Sequence, residues 1–532
     1  MAGKIMLLDC TLRDGGYIND WKFGNGTMNC IFDRLNESGV DMIEIGFIDE
    51  RRPADRDRTI QPDARSLSGA YCDISGRRSM VTAMIDYGTC TINNVQPASE
   101  THIDGIRVIF KKENMYNAVK FGKDIMKKGY KLFLQMVSVT SYDDDDVLNF
   151  VKEVNNILPF AVSIVDTYGL MHKEHVFRYF ELLDTHLDPS ITIGYHSHNN
   201  FQLAYSNTIE MLKKDTNRDI VIDGTLYGMG KSAGNAPIEL LSVYLNENYG
   251  KAYDVGQILE AIDINIMPMY EKRYWGYGFE FYLSAKNGCH PNYVSHLKGK
   301  KTLSIKAVND IISNIPSEER LSFNDRLIEK LYTKYLEDID DSAALKAFSK
   351  ALGSNEVLLI GPGRSATDEA KKIREHLENR NSTVIGVNYV PSQFDADFVF
   401  FGSSKRYGQM IPSLKDSKAK IIATSNIVPI KRPFDHVVEY GKLISERDEL
   451  WDNTLIIVLN LLKKVNVDVV YLAGFDGFRE KAEKNYVDGS FDLSKTFDYL
   501  SMVNRLLTKK IKEYRKELDI VFLTSSIYED QI

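Results

Sequence analysis

Two histidines separated by one residue, His196-Ser197-His198, lie on the same face if the segment is a β-strand, and both imidazoles can then reach one ion. At a strand end such a pair would meet a carboxylate from another strand; a polar loop with two solvent-facing histidines is the plain alternative. Asp14 can supply the carboxylate. It follows Arg13 at the end of the first apolar run and precedes Gly15-Gly16, a two-glycine turn that would let a ligand approach closely. Two histidines and one carboxylate leave coordination positions open for a bidentate oxo acid, with waters filling the rest. That mixed set suits Mn2+, Mg2+ or Co2+, and Zn2+ is also compatible.

These residues need strands to hold them. The first half of the chain alternates short apolar, β-branched-rich runs with stretches of helical spacing. The runs fall at residues 5–12, 42–47, 80–85, 105–110, 132–139, 161–165, 191–195 and 220–222, and segments such as 28–40 and 147–158 between them place apolar residues three and four apart. Eight strand–helix units in roughly 250 residues match a (β/α)8 barrel, although an open doubly wound sheet could hold as many strands. The polar residues favour the barrel. Thr11 to Gly16, Glu44, Asp166-Thr167-Tyr168-Gly169, the histidine pair and Asp223-Gly224-Thr225 sit at or near the ends of runs, the face where a parallel barrel builds its active site.

Composition sets the class. At 532 residues the chain is too long for one hydrophobic core, and its 43% hydrophobic and 26% charged content is that of a soluble globular protein. A net charge of −8 with no basic block argues against nucleic acid as a partner. No apolar stretch approaches the ~20 residues needed to span a membrane, and the start reaches Asp9 and Arg13 too early for a signal peptide. Cys10, Cys30, Cys72, Cys90 and Cys289 are scattered and odd in number, which fits buried thiols in the cytoplasm and excludes a disulfide framework or cysteine-rich zinc site.

Leu8-Asp9-Cys10-Thr11-Leu12-Arg13-Asp14-Gly15-Gly16, Glu44, the His196/His198 pair and Gly230-Lys231-Ser232-Ala233-Gly234-Asn235-Ala236-Pro237 occur in order over about the first 300 residues. Together they resemble the DRE-TIM metallolyase family, which includes 4-hydroxy-2-oxovalerate aldolase, hydroxymethylglutaryl-CoA lyase and isopropylmalate synthase, and they are most similar to its aldolase branch. The resemblance implies that Asp14, His196 and His198 bind a divalent metal, with Mn2+ foremost. It also implies that Arg13 holds an enolate oxygen, that Glu44 supports Arg13 and that Asn235 reaches the metal.

Retro-aldol cleavage of a 4-hydroxy-2-oxo acid leaves a pyruvate enolate, whose oxyanion needs cationic stabilisation. The metal would serve as Lewis acid, and Arg13 adds a charge that deprotonation cannot remove. No lysine Schiff base is then required; Lys111 and Lys112, after the fourth run, remain as contacts for a substrate phosphate or carboxylate. The aldolase branch carries a histidine, its proposed base, three residues after the metal aspartate, and here that position is Tyr17. A tyrosine at its ordinary pKa of ~10 is a poor base. Tyr17 is therefore read as a hydrogen-bonding proton relay acting on a different substrate, the other readings being Tyr17 as base or a metal-bound water. Gln135 and Ser163 would point into the barrel, as substrate contacts or as polar residues of its core, Asp166 would shape the substrate pocket or close a turn, and His290 and Tyr277 would close over the site as substrate contacts.

A second alternation begins at residue 356. Strands are expected at 356–361, 383–387, 398–401, 420–424, 467–473 and 520–524, with helices from Ser365, from Trp451 and around 493–507. This is a Rossmann-like layout. Gly361-Pro362-Gly363-Arg364-Ser365 lies between strand and helix, where backbone N–H groups favour a phosphate. It lacks the third glycine of a dinucleotide fingerprint, and Asn388 stands where NAD binders carry an acid. The segment 355–525 resembles the nucleotide-binding regions of glycosyltransferase-like or pterin-pyrophosphokinase-like proteins. Gly361, Gly363, Ser365, Asn388 and Asp476 are its candidate nucleotide or phosphate contacts.

The expected organisation is a TIM-barrel catalytic domain at 1–285, a helical extension at 286–350 and a Rossmann-like domain at 351–532. The expected activity is a metal-dependent aldolase whose partners are a 2-oxo acid and an aldehyde, nucleotide-linked or phosphorylated as in sugar or polysaccharide biosynthesis, in a homo-oligomer. A Claisen-type acyltransferase using acyl-CoA and a 2-oxo acid is the alternative, and a barrel kept as a scaffold is the third.

Overall fold

Why the eight runs become a barrel is visible in a computed structural model. It describes residues 3–530 apart from 73, 75, 301–302, 339, 431, 445–449, 451–452, 481–484 and 492–495. The strands are β1 (Ile5–Asp9), β2 (Met42–Ile48), β3 (Met80–Asp86), β4 (Gly105–Phe110), β5 (Lys131–Met136), β6 (Ala161–Asp166), β7 (Thr192–Ser197) and β8 (Ile220–Gly224). They pair in parallel in the order β1-β8-β7-β6-β5-β4-β3-β2, and β1 closes the ring on β2 with Leu8 opposite Met42. A two-residue strand, Ile60–Gln61, lies beside β2.

Alternation along the strands sorts their side chains. Residues such as Ile43, Ile45, Ile106 and Val108 face outward into the main core shared with the helices. The inward positions form layers. Met6, Leu8, Met42, Phe133 and Val221 make an apolar floor. Two residues further along the same strands stand Glu44, Gln135 and Asp223, joined by Arg107 from β4 and His196 from β7, all buried. A strand period of two therefore converts an apolar floor into a charged layer one step nearer the barrel mouth.

The first strand ends sooner than its apolar run. The Asp9 carboxylate accepts from the Thr11 N–H (2.9 Å) and the Thr11 hydroxyl (2.8 Å), an Asx turn that breaks the strand. Residues Thr11–Asp14 form one helical turn, so Arg13 and Asp14 sit on a turn above β1 rather than on the strand itself.

Among the described residues the C-terminal half contains seven parallel strands: β9 (Glu356–Ile360), β10 (Thr383–Val387), β11 (Phe398–Phe401), β12 (Lys420–Thr424), β13 (His436–Val438), β14 (Val469–Ala473) and β15 (Asp519–Phe522). Their order is β13-β12-β11-β10-β9-β14-β15. Connections run outward from β9 in one direction and return to its other side at β14, a switch point consistent with a Rossmann-like domain. The edge strand β13 was not expected: three residues are too few to show a period. Helices Thr454–Lys464 and Phe497–Tyr514 follow; Trp451 and the stretch from Leu493, where two helices were expected to begin, lie outside the described residues. The chain divides into two compact units, 1–295 with 316–324, and 296–315 with 325–532.

Candidate metal centre

The C-terminal strand ends of the barrel open into a cavity of about 340 Å3. Within it, Asp14, His196 and His198 each bring a ligand atom within 4.8 Å of the other two. The Nε2 atoms of His196 and His198 stand 3.9 and 3.8 Å from Asp14 Oδ2. Their other nitrogens are committed. His198 Nδ1 lies 3.1 Å from the Lys231 carbonyl, which can only accept, so Nδ1 carries the hydrogen. His196 Nδ1 donates in the same way to the Asp223 carboxylate at 3.0 Å. Both Nε2 lone pairs are thereby left to a cation.

Asn235 completes the group. Its Nδ2 donates to Asp14 and to the Met229 carbonyl (3.3 Å), while its buried Oδ1 has no protein partner. An antiparallel bridge between His198 and Asn235 brings the 230–237 loop over the cluster. Gly230 permits this: a Cβ there would fall 2.1 Å from Asn235 Nδ2 and 2.8 Å from Asp14 Oδ2. Gly15 and Gly16, expected to admit a ligand, instead make room for protein. A Cβ on Gly16 would meet the Trp21 ring at 2.0 Å, and one on Gly15 would meet the Met229 sulfur at 2.9 Å.

Electrostatics set the protonation states of Asp14 and His198. Burial opposes the charge on Asp14, but Arg13, His198, His196 and the Asn235 amide outweigh it and hold the carboxyl at about 2. Burial carries His198 down to about 3 against the pull of Asp14, so its imidazole is neutral. A carboxylate, two imidazoles whose Nδ1 atoms face acceptors and an amide with an orphaned oxygen fit a hard or borderline divalent cation. A second grouping of Cys10, His196 and Asp223 is also close-packed. Burial pushes the Cys10 thiol well up and its hydrogen goes to the Gly224 carbonyl (3.4 Å), so it offers no thiolate.

Around the cluster runs a chain of alternating charges. Arg13 donates through Nη1 to Asp14 (2.9 Å) and through Nε to Glu44 (2.7 Å). Glu44 lies 3.2 Å from Arg107 Nη1, and Arg107 Nη2 donates to Asp223 and to Gln135 Oε1 (3.3 Å). Asp223 returns the chain to His196. Buried polar atoms without protein partners collect in this layer: Glu44 Oε1, Arg107 Nε, Gln135 Nε2 and Asp223 Oδ1. That concentration of unspent capacity is what a polar-ligand site looks like from inside.

The remaining expected residues separate. Tyr17, His290, Gln135 and Lys111 line the cavity. Lys112 pairs instead with Asp146. Tyr277 is half exposed and lies outside the cavity lining, because the aromatic run around it buries Trp275, whose Nε1 donates to the Tyr227 carbonyl (2.9 Å). Asp166 turns away from the cavity: its oxygens accept from Leu170 N–H (2.8 Å) and Met171 N–H (3.0 Å), closing a turn. Burial raises the Tyr17 hydroxyl, with Asp14 adding to the shift, so Tyr17 stays protonated. Sequence reasoning missed Arg107, Lys231 and the roof formed by Leu321, Ser322 and Phe323. The roof is pinned by the Tyr168 hydroxyl donating to Leu321 O (3.0 Å) and by the Tyr293 hydroxyl, whose one hydrogen lies within reach of both Glu319 O (2.9 Å) and Ser322 O (2.8 Å).

In the C-terminal unit a separate cleft of about 510 Å3 lies at the switch point, lined in part by Gly363, Asn388 and Asp476. Phosphate at the 361–365 turn is not favoured by this geometry. The Ser365 N–H (2.8 Å) and hydroxyl both go to Asp476, so a carboxylate of the protein already occupies the start of the four-residue helix Ser365–Asp368. Gly361 and Ser365 are outside the cleft lining. Asn388 spends its amide on Thr454 Oγ1 (2.7 Å) and Gly402 N–H (3.1 Å), and Gly363 packs flush on Asp476 and Gly474.

Fold and cluster together define a (β/α)8 barrel with a two-histidine, one-carboxylate centre at its catalytic face. The HMGL-like family model matches residues 4–264, and the barrel belongs to that family. The chain is 26% identical to an oxaloacetate decarboxylase of Mycobacterium tuberculosis over 313 residues, 58% of this chain and 89% of that protein. It is 25% identical to a 4-hydroxy-2-oxovalerate aldolase of Marinomonas sp. over 282 residues, 51% and 80%. A 2-isopropylmalate synthase of Sulfolobus acidocaldarius is 28% identical over 264 residues, 48% and 64%. The family is one of enzymes that use a divalent metal, and among the described residues no helix is long and apolar enough to cross a membrane.

Proposed function

We propose that the barrel is a divalent-metal-dependent carbon–carbon lyase that makes or cleaves a 4-hydroxy-2-oxo acid through the enolate of pyruvate. The observation that carries this reading is the position of Arg13, bonded to Asp14 on one side and Glu44 on the other, beside the Asp14–His196–His198 cluster. Asp14, His196 and His198, with help from Asn235, would hold a divalent cation, and that cation would supply Lewis-acid polarisation of a 2-oxo acid.

The chain's own residues do the rest. Two of the guanidinium nitrogens of Arg13 are anchored, which leaves Nη2 to meet the oxygen on which negative charge develops. Burial opposes its charge, but Glu44 and Asp14 keep it permanently cationic. Asp223 and the Lys231 carbonyl hold the two imidazoles in the donor tautomer. Tyr17, neutral and at the cavity wall, relays the 4-hydroxyl proton: its oxygen takes that proton as its own hydrogen passes to solvent, and the reverse transfer serves the condensation direction. Leu321 to Phe323 cover the mouth and keep bulk water from the enolate.

The relatives' names fit one intermediate: retro-aldol cleavage and oxaloacetate decarboxylation both end in the pyruvate enolate. The direct assay offers 4-hydroxy-2-oxo acids to the full chain and follows pyruvate release. Release that stops with a chelator and returns with Mn2+ supports the reading. Release indifferent to the chelator, or none from any 4-hydroxy-2-oxo acid tested, refutes it.

A further inference from the structure

We infer that the outer part of the barrel cavity is a receptor for an anionic group, a carboxylate or phosphate, on the carbonyl compound that meets the enolate, with Lys231 as its principal contact. The identity of that compound rests on the proposed reaction; the anion site does not.

Lys231 enters the cavity from the loop that carries Asn235. Its ammonium stands over the faces of Tyr17 (5.4 Å) and Tyr168 (5.6 Å) and makes no ion pair among the described residues. The two rings hold the charge by cation–π attraction, and Asp14 and Asp86 attract it without forming an ion pair. A partly covered ammonium without a counter-ion has lost solvation that only an incoming anion restores.

Lys111, at the end of β4, lines the same cavity and is also without an ion pair among the described residues. The neighbouring Lys112 shows the contrast, since its charge is met by Asp146. His290 adds a donor without a charge: its Nδ1 accepts from the Asn292 N–H (3.1 Å), which leaves the hydrogen on Nε2. Burial, reinforced by Lys231 and Lys111, carries its pKa down to about 4.

Apart from Asp14, Asp86 is the one carboxylate among the cavity's described lining residues. It can balance one lysine but not two. Arg13 is spoken for by the enolate oxygen, so the second positive charge awaits a second negative one. The volume of about 340 Å3 lies at the small end of ligand pockets, which suits a three-carbon oxo acid beside a short acidic aldehyde better than a nucleotide-linked one.

The test is calorimetric titration of the Mn2+-loaded full chain with three aldehydes: succinate semialdehyde, glycolaldehyde phosphate and uncharged butanal. One anionic aldehyde is expected to bind at least about tenfold tighter than butanal, the usual size of a charge-assisted contact, and which one distinguishes carboxylate from phosphate. Lys231→Gln should lose that preference, Lys231→Arg should keep it, and Lys112→Gln should leave it unchanged. Equal affinity for butanal, or an anion preference that Lys231→Gln preserves, overturns the proposal. Methyl-proton exchange of pyruvate by the wild-type chain reports separately on the proposed reaction, so exchange without anion preference removes the receptor alone, and anion preference without exchange removes the reaction alone.

Discussion

His196 gives its Nδ1 hydrogen to Asp223 at 3.0 Å, and Asp223 is held in turn by the buried guanidinium of Arg107. The imidazole of a candidate metal ligand is thus oriented by a carboxylate whose own charge is stabilised from behind. Burial works against that charge, but Arg107 and His196 lower the Asp223 pKa below its ordinary value.

Asp223→Asn should therefore weaken metal binding without touching a ligand. The amide is a poorer acceptor and lets the ring turn, and loss of such a partner costs about 10- to 100-fold in metal affinity. Competitive titration with a metallochromic chelator measures it. An unchanged dissociation constant would show that Asp223 does not orient His196.

Arg107 is the structural hub of the same layer. Its side chain is 1% exposed and lies between Glu44 and Asp223, so Arg107→Met takes one cation from two buried carboxylates and leaves Glu44 with Arg13 alone and Asp223 with His196 alone. The expected loss is about 3 kcal/mol or more, read as a lowered denaturation midpoint of the full chain. A wild-type midpoint would mean that water reaches this layer freely.

Much of this was legible beforehand, and what was not has a physical cause. The candidate metal ligands stood out because the spacing of His196 and His198 implies a shared strand face and because Asp14 sits beside Arg13 in a short polar motif at the end of the first apolar run. The barrel was legible because eight β-branched runs alternate with helical spacing. Arg107 escaped because it is one charge inside the apolar run Gly-Ile-Arg-Val-Ile-Phe at 105–110, and only closure of the ring brings it to Glu44 and Asp223, at sequence separations no local pattern encodes. Lys231 looked like part of a glycine-rich turn. Asp166 stayed open between two readings because a strand-end carboxylate that closes a turn and one that binds substrate look alike until the partner N–H groups are known.

Tyr17→Phe tests the proton relay. Removing the hydroxyl leaves the ring's contacts with Trp21 (4.8 Å) and Phe47 (6.4 Å) in place and should lower turnover by about 100-fold with metal affinity unchanged. Because burial raises the Tyr17 pKa, the wild-type rate should show no loss attributable to this hydroxyl between pH 7 and about 10. Undiminished turnover in the variant removes Tyr17 from the mechanism.

Glu239 supplies a pH prediction away from the metal. It accepts from the Tyr227 N–H (3.1 Å), and burial raises its pKa from 4.5 to about 7. Below pH 4.5 the carboxyl is neutral both folded and unfolded; between 4.5 and about 7 only the unfolded chain ionises it, so folding loses stability as pH rises through that window. Glu239→Gln should melt with the wild type near pH 4 and above it at pH 8. A difference independent of pH would contradict the assignment.

The central claim is that this barrel forms the enolate of pyruvate at Asp14, His196 and His198. The most direct measurement incubates the Mn2+-loaded full chain with pyruvate in deuterated water and follows the methyl protons by NMR. The account predicts metal-dependent loss of the methyl signal, abolished by Asp14→Asn, with no second substrate present. A methyl signal that decays no faster than in a protein-free control would contradict it.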